Sequence, residues 1–251
     1  MKIVVIGGTG LIGSKLVDKL RRLDHEVVAA SPATGINTIT GEGVREAMEG
    51  TDVVVDVSNS PSFADDAVME FFQKSTGNLL AAESYAGVKH HVAVSIVGAD
   101  RLPASGYLRA KIAQENLIKA GTVPYSILRS TQFFEFAASI AMSNTVGQEV
   151  RVSTGGVQPI ASDEVVNALK DVVLGEPKNG IVQVAGPVKM PMYEFIGYYL
   201  NITADPRQLI PDDHALYFGT LLGSDSLVPL GEARIGKIKY ENWLRSQLVK
   251  A

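Results

Sequence analysis

Tyr107 and Lys111 stand four residues apart in Tyr107-Leu108-Arg109-Ala110-Lys111, and a serine, Ser95, closes the short apolar run Val92-Ala93-Val94 upstream. Residues four apart share one face of a helix, so a phenol and an ammonium on this spacing can reach into the same cleft. With a hydroxyl delivered at a strand end, they suit acid–base chemistry at a carbonyl. A phenol of reference pKa about 10 is sluggish near neutrality, and a nearby cation stabilises its phenolate and draws it toward working range. Alone, Y-x-x-x-K is a weak signal that recurs by chance on solvated helix faces. Its weight here comes from what precedes it.

Ile3-Val4-Val5-Ile6 is a β-branched run without alternation, the pattern of a strand buried on both faces of a parallel sheet. It enters Gly7-Gly8-Thr9-Gly10-Leu11-Ile12-Gly13 and then residues 14–22, where Leu16, Val17 and Leu20 recur at helical spacing. Gly8, Gly10 and Gly13 fit G-x-G-x-x-G; Gly7, Gly10 and Gly13 fit G-x-x-G-x-x-G. Strand, glycine turn and helix in this order predict a dinucleotide site, because a side chain would hold the backbone off a diphosphate that free N–H groups at the helix start must meet. The next strand, Glu26 to Ala30, ends at Ser31. An acid in this place would accept from the ribose hydroxyls and select NAD. The uncharged Ser31 leaves room for a 2′-phosphate, so NADP(H) is favoured, with Ser31 and Thr34 as donors; no arginine is adjacent, which keeps NAD(H) open.

Asp52-Val53-Val54-Val55-Asp56-Val57 repeats the buried-strand pattern and ends in Ser58-Asn59-Ser60-Pro61. Asn59 and Ser60 either line the cofactor groove at the strand's carboxyl end or form an ordinary polar loop. Residues 65–87 read as a helix closed by Gly87, 107–119 as another, and 125–129 and 180–185 as further strands. Apolar and amphipathic helices follow near 137–142 and 163–174, and a last helix surrounds Trp243. The alternation predicts an α/β fold, a doubly wound parallel sheet of Rossmann type. Residues 1–187 would form the NAD(P)-binding domain, with substrate-lobe insertions after about residue 130, and 188–251 a small C-terminal substrate lobe.

Through Gly7 to Gly13, Ser95, Tyr107, Lys111 and Ser130-Thr131-Gln132-Phe133-Phe134, the chain resembles an atypical short-chain dehydrogenase/reductase of the NmrA-like type. That resemblance implies that the Ser95 and Tyr107 hydroxyls hold the substrate carbonyl, that Tyr107 exchanges the proton, and that Lys111 also grips the nicotinamide ribose. It offers Asn78 as a fourth participant. NADP(H)-selective members often carry an arginine after the second strand, where this chain has Ser31-Pro32-Ala33-Thr34. Some members bind the dinucleotide only as a signal and have lost the tyrosine; Tyr107 and Lys111 favour an enzyme.

With 23 Lys+Arg against 27 Asp+Glu the net charge is −4, the wrong sign for displacing counterions from nucleic acid. There is no cysteine, hence no disulfide, thiolate ligand or thiol nucleophile. His90 and His91 are adjacent at a strand start and should point to opposite faces, so no metal site is expected. No apolar run approaches a membrane span and no cleavage site follows the first strand, giving a soluble cytoplasmic protein as the expectation. A nucleophile elbow is missing, which leaves hydrolysis unsupported. Phe133, Phe134 and Phe136 are more in keeping with core than with a lid, and Glu135 with a solvent-facing position. Tyr193, Tyr198, Tyr199, Tyr217 and Phe218 make the C-terminal lobe aromatic enough to stack a flat substrate. The sequence thus points to an NAD(P)H-dependent reductase of a small carbonyl or quinone-like acceptor. Its rivals are an NAD(P)-sensing regulatory protein and a nucleotide-sugar epimerase or dehydratase, the last expecting a larger pocket than so short a lobe suggests.

Overall fold

Ile3, Val4, Val5 and Ile6 are all buried, as are Val53, Val54 and Val55, so the two apolar runs lie in the middle of a sheet covered on both faces. The computed structural model describes residues 1–248. In chain order its elements are β1 (Lys2–Ile6), α1 (Leu11–Arg21), β2 (Glu26–Ala30), α2 (Val44–Met48), β3 (Val53–Asp56), α3 (Asp65–Ala86), β4 (His90–Ile96), α4 (Gly106–Ala120) and β5 (Tyr125–Ser130). There follow α5 (Ala137–Ser143), β6 (Thr145–Val146), β7 (Glu149–Val152), β8 (Gly156–Val157), α6 (Ser162–Val173) and β9 (Gly180–Ala185). The chain continues through β10 (Met190–Pro191), α7 (Met192–Ile202), β11 (Gln208–Pro211), β12 (Arg234–Ile235) and α8 (Tyr240–Leu248). The large sheet has the order β12-β9-β5-β4-β3-β1-β2. β1 pairs in parallel with β2 on one side and β3 on the other, and β3 with β4. The strand order therefore reverses at β1, the switch point of a doubly wound sheet.

The chain divides into two compact units, each discontinuous in sequence. The first comprises residues 1–95, 106–129 and 165–182; the second comprises 96–105, 130–164 and 183–251. The boundary drawn at 187/188 from the sequence does not coincide with this division, because residues 96–105 and 130–164 group with the C-terminal stretch.

In the first unit Val4, Ile6 and Val54 face Val44 and Met48 of α2 and Leu79 and Ala82 of α3. Ile3 and Val5 alternate to the opposite face, and Ile12, Gly13, Leu16, Val17 and Leu20 are the buried positions of α1. Between α3 and α4, Val68, Phe72 and Ala110 form a buried cluster with Tyr107 against it. Gly87 closes α3 at φ +73°, a left-handed C-cap open to glycine at little strain. At the start of α4 a Cβ on Gly106 would lie 1.9 Å from an Asp65 carboxylate oxygen, so the first turns of α3 and α4 run close together. β4 begins at His90 and ends at Ile96, placing Ser95 inside the strand.

In the second unit β7 pairs in parallel with β11 and antiparallel with β6, and β8 pairs antiparallel with β10. Its core is aromatic: the Tyr240 ring lies 4.5 Å from Phe195, 4.8 Å from Phe134 and 6.1 Å from Trp243, centroid to centroid. Phe134 is thus a core residue, while Phe136 is exposed and stacks on Phe133. Glu135 accepts from the Ser162 hydroxyl and, at 3.3 Å, from its N–H at the start of α6; it is a helix anchor rather than a solvent-facing group. Among the described residues no helix is long and apolar enough to cross a membrane.

Candidate active site

The turn after β1 is built by glycines with separable duties. Gly7 has φ +77°, and the Gly7 and Gly8 N–H groups donate to the Ala30 carbonyl at 2.9 and 3.2 Å, stapling the turn to the end of β2. A Cβ on Gly8 would meet Ala29 Cα at 2.7 Å, and one on Gly13 would meet the Gly7 carbonyl oxygen at 2.1 Å. Both are therefore demanded by the chain's own packing. Gly10 differs: it is exposed, its φ is −82°, and a Cβ there would meet only the Gly7 oxygen, at 3.3 Å. The open side of this position is where a diphosphate would rest. Gly10 is also the N-cap of α1 and offers no side-chain cap, and no acid stands in the first turn. The leading N–H groups of α1 thus lack intrahelical acceptors at the positive end of the helix dipole. The residues fit a dinucleotide.

Ser31 is buried; its Oγ faces the Thr34 N–H in a capping box, and its own hydrogen has no acceptor. An orphaned hydroxyl at the carboxyl end of β2 matches a donor waiting for a ribose or its phosphate. Thr34, paired with it from the sequence, is committed elsewhere. Its Oγ1 accepts the Ser31 N–H at 2.9 Å and donates to the carbonyls of Ser31 or Ala29 at 2.9 and 3.1 Å, so its one hydrogen closes the turn. Asn59 lies exposed beyond β3, its Oδ1 accepting from the Ser60 N–H at 3.0 Å, while the buried Ser60 accepts from the Ser62 N–H at 3.2 Å.

Asn59 also lies beside the Tyr107 hydroxyl and favours its ionised form. Tyr107 sits at the first turn of α4, edge-on to Phe63 at 5.3 Å and tilted against Phe72 at 6.4 Å. Burial pushes its phenol up to about 12, only partly opposed by Asn59. This reverses the direction expected from the sequence, where Lys111 was to stabilise the phenolate. The reason is the placement of Lys111. Its Nζ donates to the Val94 carbonyl at 2.9 Å and to Gln114 Oε1, and rides 4.4 Å above the Phe72 ring. The ammonium is spent on sheet and helix rather than on the phenol. Burial brings its pKa down to about 8 against the pull of Asp56 and Glu115.

The buried Ser95 hydroxyl lies beside Glu115 and helps hold that carboxylate down, in a geometry short of a formed hydrogen bond. Burial works against Glu115, but the Arg129 guanidinium grips it through two bonds of 2.7 and 2.8 Å and Lys119 adds a third at 3.0 Å, keeping it below the usual carboxylate range. Asn78 donates both amide hydrogens to the carbonyls of Thr38 and Ile39 at 2.8 and 3.2 Å, which commits it to anchoring that loop. His90 meets Ser126 Oγ at 2.9 Å and His91 meets Glu83 at 2.9 Å, so the adjacent histidines do turn to different partners.

Sequence reading missed Asp56, Gln114, Glu115 and Arg129. Two signals were there. Gln114 and Glu115 continue the Tyr107–Lys111 stripe at i+7 and i+8, and Asp56 is an acid within an otherwise valine strand.

Fold and site together define a Rossmann-type, NAD(P)-binding protein. Residues 7–157 match the sequence profile of the family described as NAD(P)H-binding, and the chain belongs to that family. It is 24% identical over 207 residues to the photosystem II assembly factor Ycf39 of Synechocystis, a match covering 75% of this chain and 62% of that protein. The chain thus spans less than two thirds of that relative's length. Its fold is shared with MoeE5, solved in complex with UDP-glucose and NAD, at a TM-score of 0.75 and 18% identity over 99% of this chain and 100% of that one. It is shared also with a dTDP-4-dehydrorhamnose reductase from Bacillus anthracis in complex with NADP, at a TM-score of 0.71 and 12% identity over 99% of each chain. The expected NAD(P)-binding kinship and the doubly wound fold both hold.

Proposed function

We propose that this protein is an NAD(P)H-dependent oxidoreductase that reduces a small carbonyl or quinone-like acceptor, with Tyr107 as proton donor and Lys111 and Ser95 in support. The observation that carries the reading is the bare start of α1, where Gly10 leaves open a place that the chain does not fill. The N–H groups of Leu11 and Ile12 would meet the diphosphate, and Ser31 the adenosine ribose or its 2′-phosphate. When bound, the reduced nicotinamide supplies the hydride. The uncharged end of β2 and its orphaned hydroxyl favour NADP(H) over NAD(H).

Tyr107, raised to about 12, stays protonated at neutral pH, the state a proton donor needs. Asn59 supports the oxygen as its proton leaves, and Lys111, held at Val94 and Gln114, supports the site from the same helix without reaching the phenol. Replacing Tyr107 by Phe should leave dinucleotide affinity within about twofold while lowering turnover by roughly 10²–10⁴. The check is titration of NADPH and NADH by their own fluorescence, followed by an acceptor screen read as loss of nicotinamide absorbance. Unchanged turnover in the variant rejects the role given to Tyr107.

A nucleotide-sugar epimerase or dehydratase is favoured by one observation. MoeE5, solved with UDP-glucose and NAD, is covered in full by this chain, so the length of the C-terminal lobe does not argue against such a substrate. That reading expects oxidised dinucleotide retained through purification and conversion of a nucleotide sugar with no net consumption of NAD(P)H.

A further inference from the structure

The buried ammonium of Lys111 is one end of a chain of side chains that no motif announces. Lys111 Nζ donates to Gln114 Oε1, Gln114 Nε2 donates to Asp56 Oδ2 at 2.9 Å, and Asp56 Oδ1 accepts both the N–H and the hydroxyl of Ser58 at 2.9 and 2.6 Å. Lys111, Gln114 and Asp56 are each at most 4% exposed. A carboxamide has one accepting and one donating end. Asp56 can only accept from it, so the charge on β3 dictates that the oxygen of Gln114 faces Lys111. The backbone carbonyl of Val94 and the Phe72 ring complete the surroundings of the ammonium.

We propose that Gln114, oriented by Asp56, is the positioning residue that holds the Lys111 ammonium at the sheet beside Ser95 and fixes whether that ammonium is charged. The proposal rests on the role given to Lys111 above and extends it to two residues outside the Ser–Tyr–Lys set. The amide couples the lysine to a carboxylate it does not touch, and so carries a stabilising interaction across a buried gap where a bare pair would demand direct contact.

The ionisable groups around Lys111 are few. Asp56 comes from β3 and Glu115 from α4, the latter already matched by Arg129 of β5 and Lys119. Tyr107 stands one turn earlier on the same helix, and α3 presents the Phe72 ring. Asp56 acts in turn on His91 of β4, which is paired with Glu83 of α3. Apart from Asp56, the carboxylate that acts on Lys111 already has cationic partners of its own. The relay through Gln114 is therefore the element whose change should be felt at Lys111.

The test is a direct titration of Lys111 in the full chain. With lysine labelled by ¹³C at Cε, the Lys111 resonance is assigned by its loss in Lys111→Met and followed from about pH 6 to about pH 11. The wild type should titrate near 8. Gln114→Met removes the acceptor and should lower the midpoint by about one pH unit or more; Gln114→Glu brings a carboxylate against the ammonium and should raise it by a similar amount, even where it shares a proton with Asp56. Asp56→Asn should follow Gln114→Met downward. A merely structural role would move neither midpoint, or both in one direction, and either result overturns the proposal. If Gln114→Met does not fold, the near-isosteric Gln114→Glu decides: a midpoint that fails to rise refutes the relay. NADPH titration of the same proteins separates the two readings. Midpoints that part as stated in a chain that binds no dinucleotide uphold the relay and reject the proposed oxidoreductase.

Discussion

Lys111 should make the folded protein less stable at neutral pH than its neutral replacement would suggest, and the deficit should vanish in alkali. The ammonium is 4% exposed and its pKa falls from an ordinary 10.5 to about 8, chiefly through burial. Below about pH 8 the lysine is charged in both folded and unfolded chains, and the penalty is fully present. Between about 8 and 10.5 the unfolded chain binds a proton that the folded chain does not, so stability rises with pH; above 10.5 both are neutral and the penalty is gone. At about 1.36 kcal/mol for each pH unit, the difference between the two pKa values corresponds to about 3 kcal/mol. Other groups titrate over the same range, so the quantity to measure is the difference between wild type and Lys111→Met, each unfolded in urea at a series of pH values. Wild-type stability should gain on the variant by about 3 kcal/mol from neutrality to pH 10.5, whatever the offset from the acceptors that the variant leaves at Val94 and Gln114. Curves that run parallel across the range would refute the claim that Lys111 is a buried, strained charge.

Two glycines of the first turn should separate binding from folding. Gly10→Asp puts a carboxylate on the open helix start and should cut dinucleotide affinity at least about tenfold with little change in melting temperature, whereas Gly13→Ala forces a Cβ within 2.1 Å of the Gly7 oxygen and should lower both. Ser31→Asp should turn preference toward NADH, read as the ratio of NADH to NADPH affinity, because the acid accepts from ribose hydroxyls and repels a 2′-phosphate. Glu115→Gln removes the carboxylate charge from beside the buried Arg129 guanidinium and should destabilise the fold by about 3 kcal/mol in denaturant titration; a loss under about 1 kcal/mol would mean that the two bonds of the pair contribute little.

How much could be read in advance follows from the range over which each signal acts. β1, the glycine turn and α1 were legible because an unbroken β-branched run, residues without side chains and a helical period stand next to one another. The Tyr107–Lys111 face was legible because helical geometry is local. What Lys111 does on that face was not, since its partners come from elsewhere: Val94 lies 17 residues back, and Gln114 reaches Asp56 across 58. The acidity expected of Tyr107 failed for the same reason, as a spacing of four fixes a helix face but not the direction of a flexible side chain. Thr34 misled because a threonine near a strand end can serve a ligand or close its own turn, and only the turn's geometry decides. Most of the second unit's strands are two to four residues long, too short for a period of two to be seen, and α2 has a single turn between glycines and Thr51.

The five crossings of the chain between its two units bear on biosynthesis. No contiguous fragment consists of either unit alone, so neither can be isolated by simple truncation. On the ribosome the first unit lacks its last stretch until residue 182 has been added, and by then residues 130–164 of the second have already been synthesised. Vectorial, one-after-the-other maturation is therefore closed to this polypeptide, and a nascent chain arrested before residue 165 should present an unfinished dinucleotide-binding unit to chaperones and proteases.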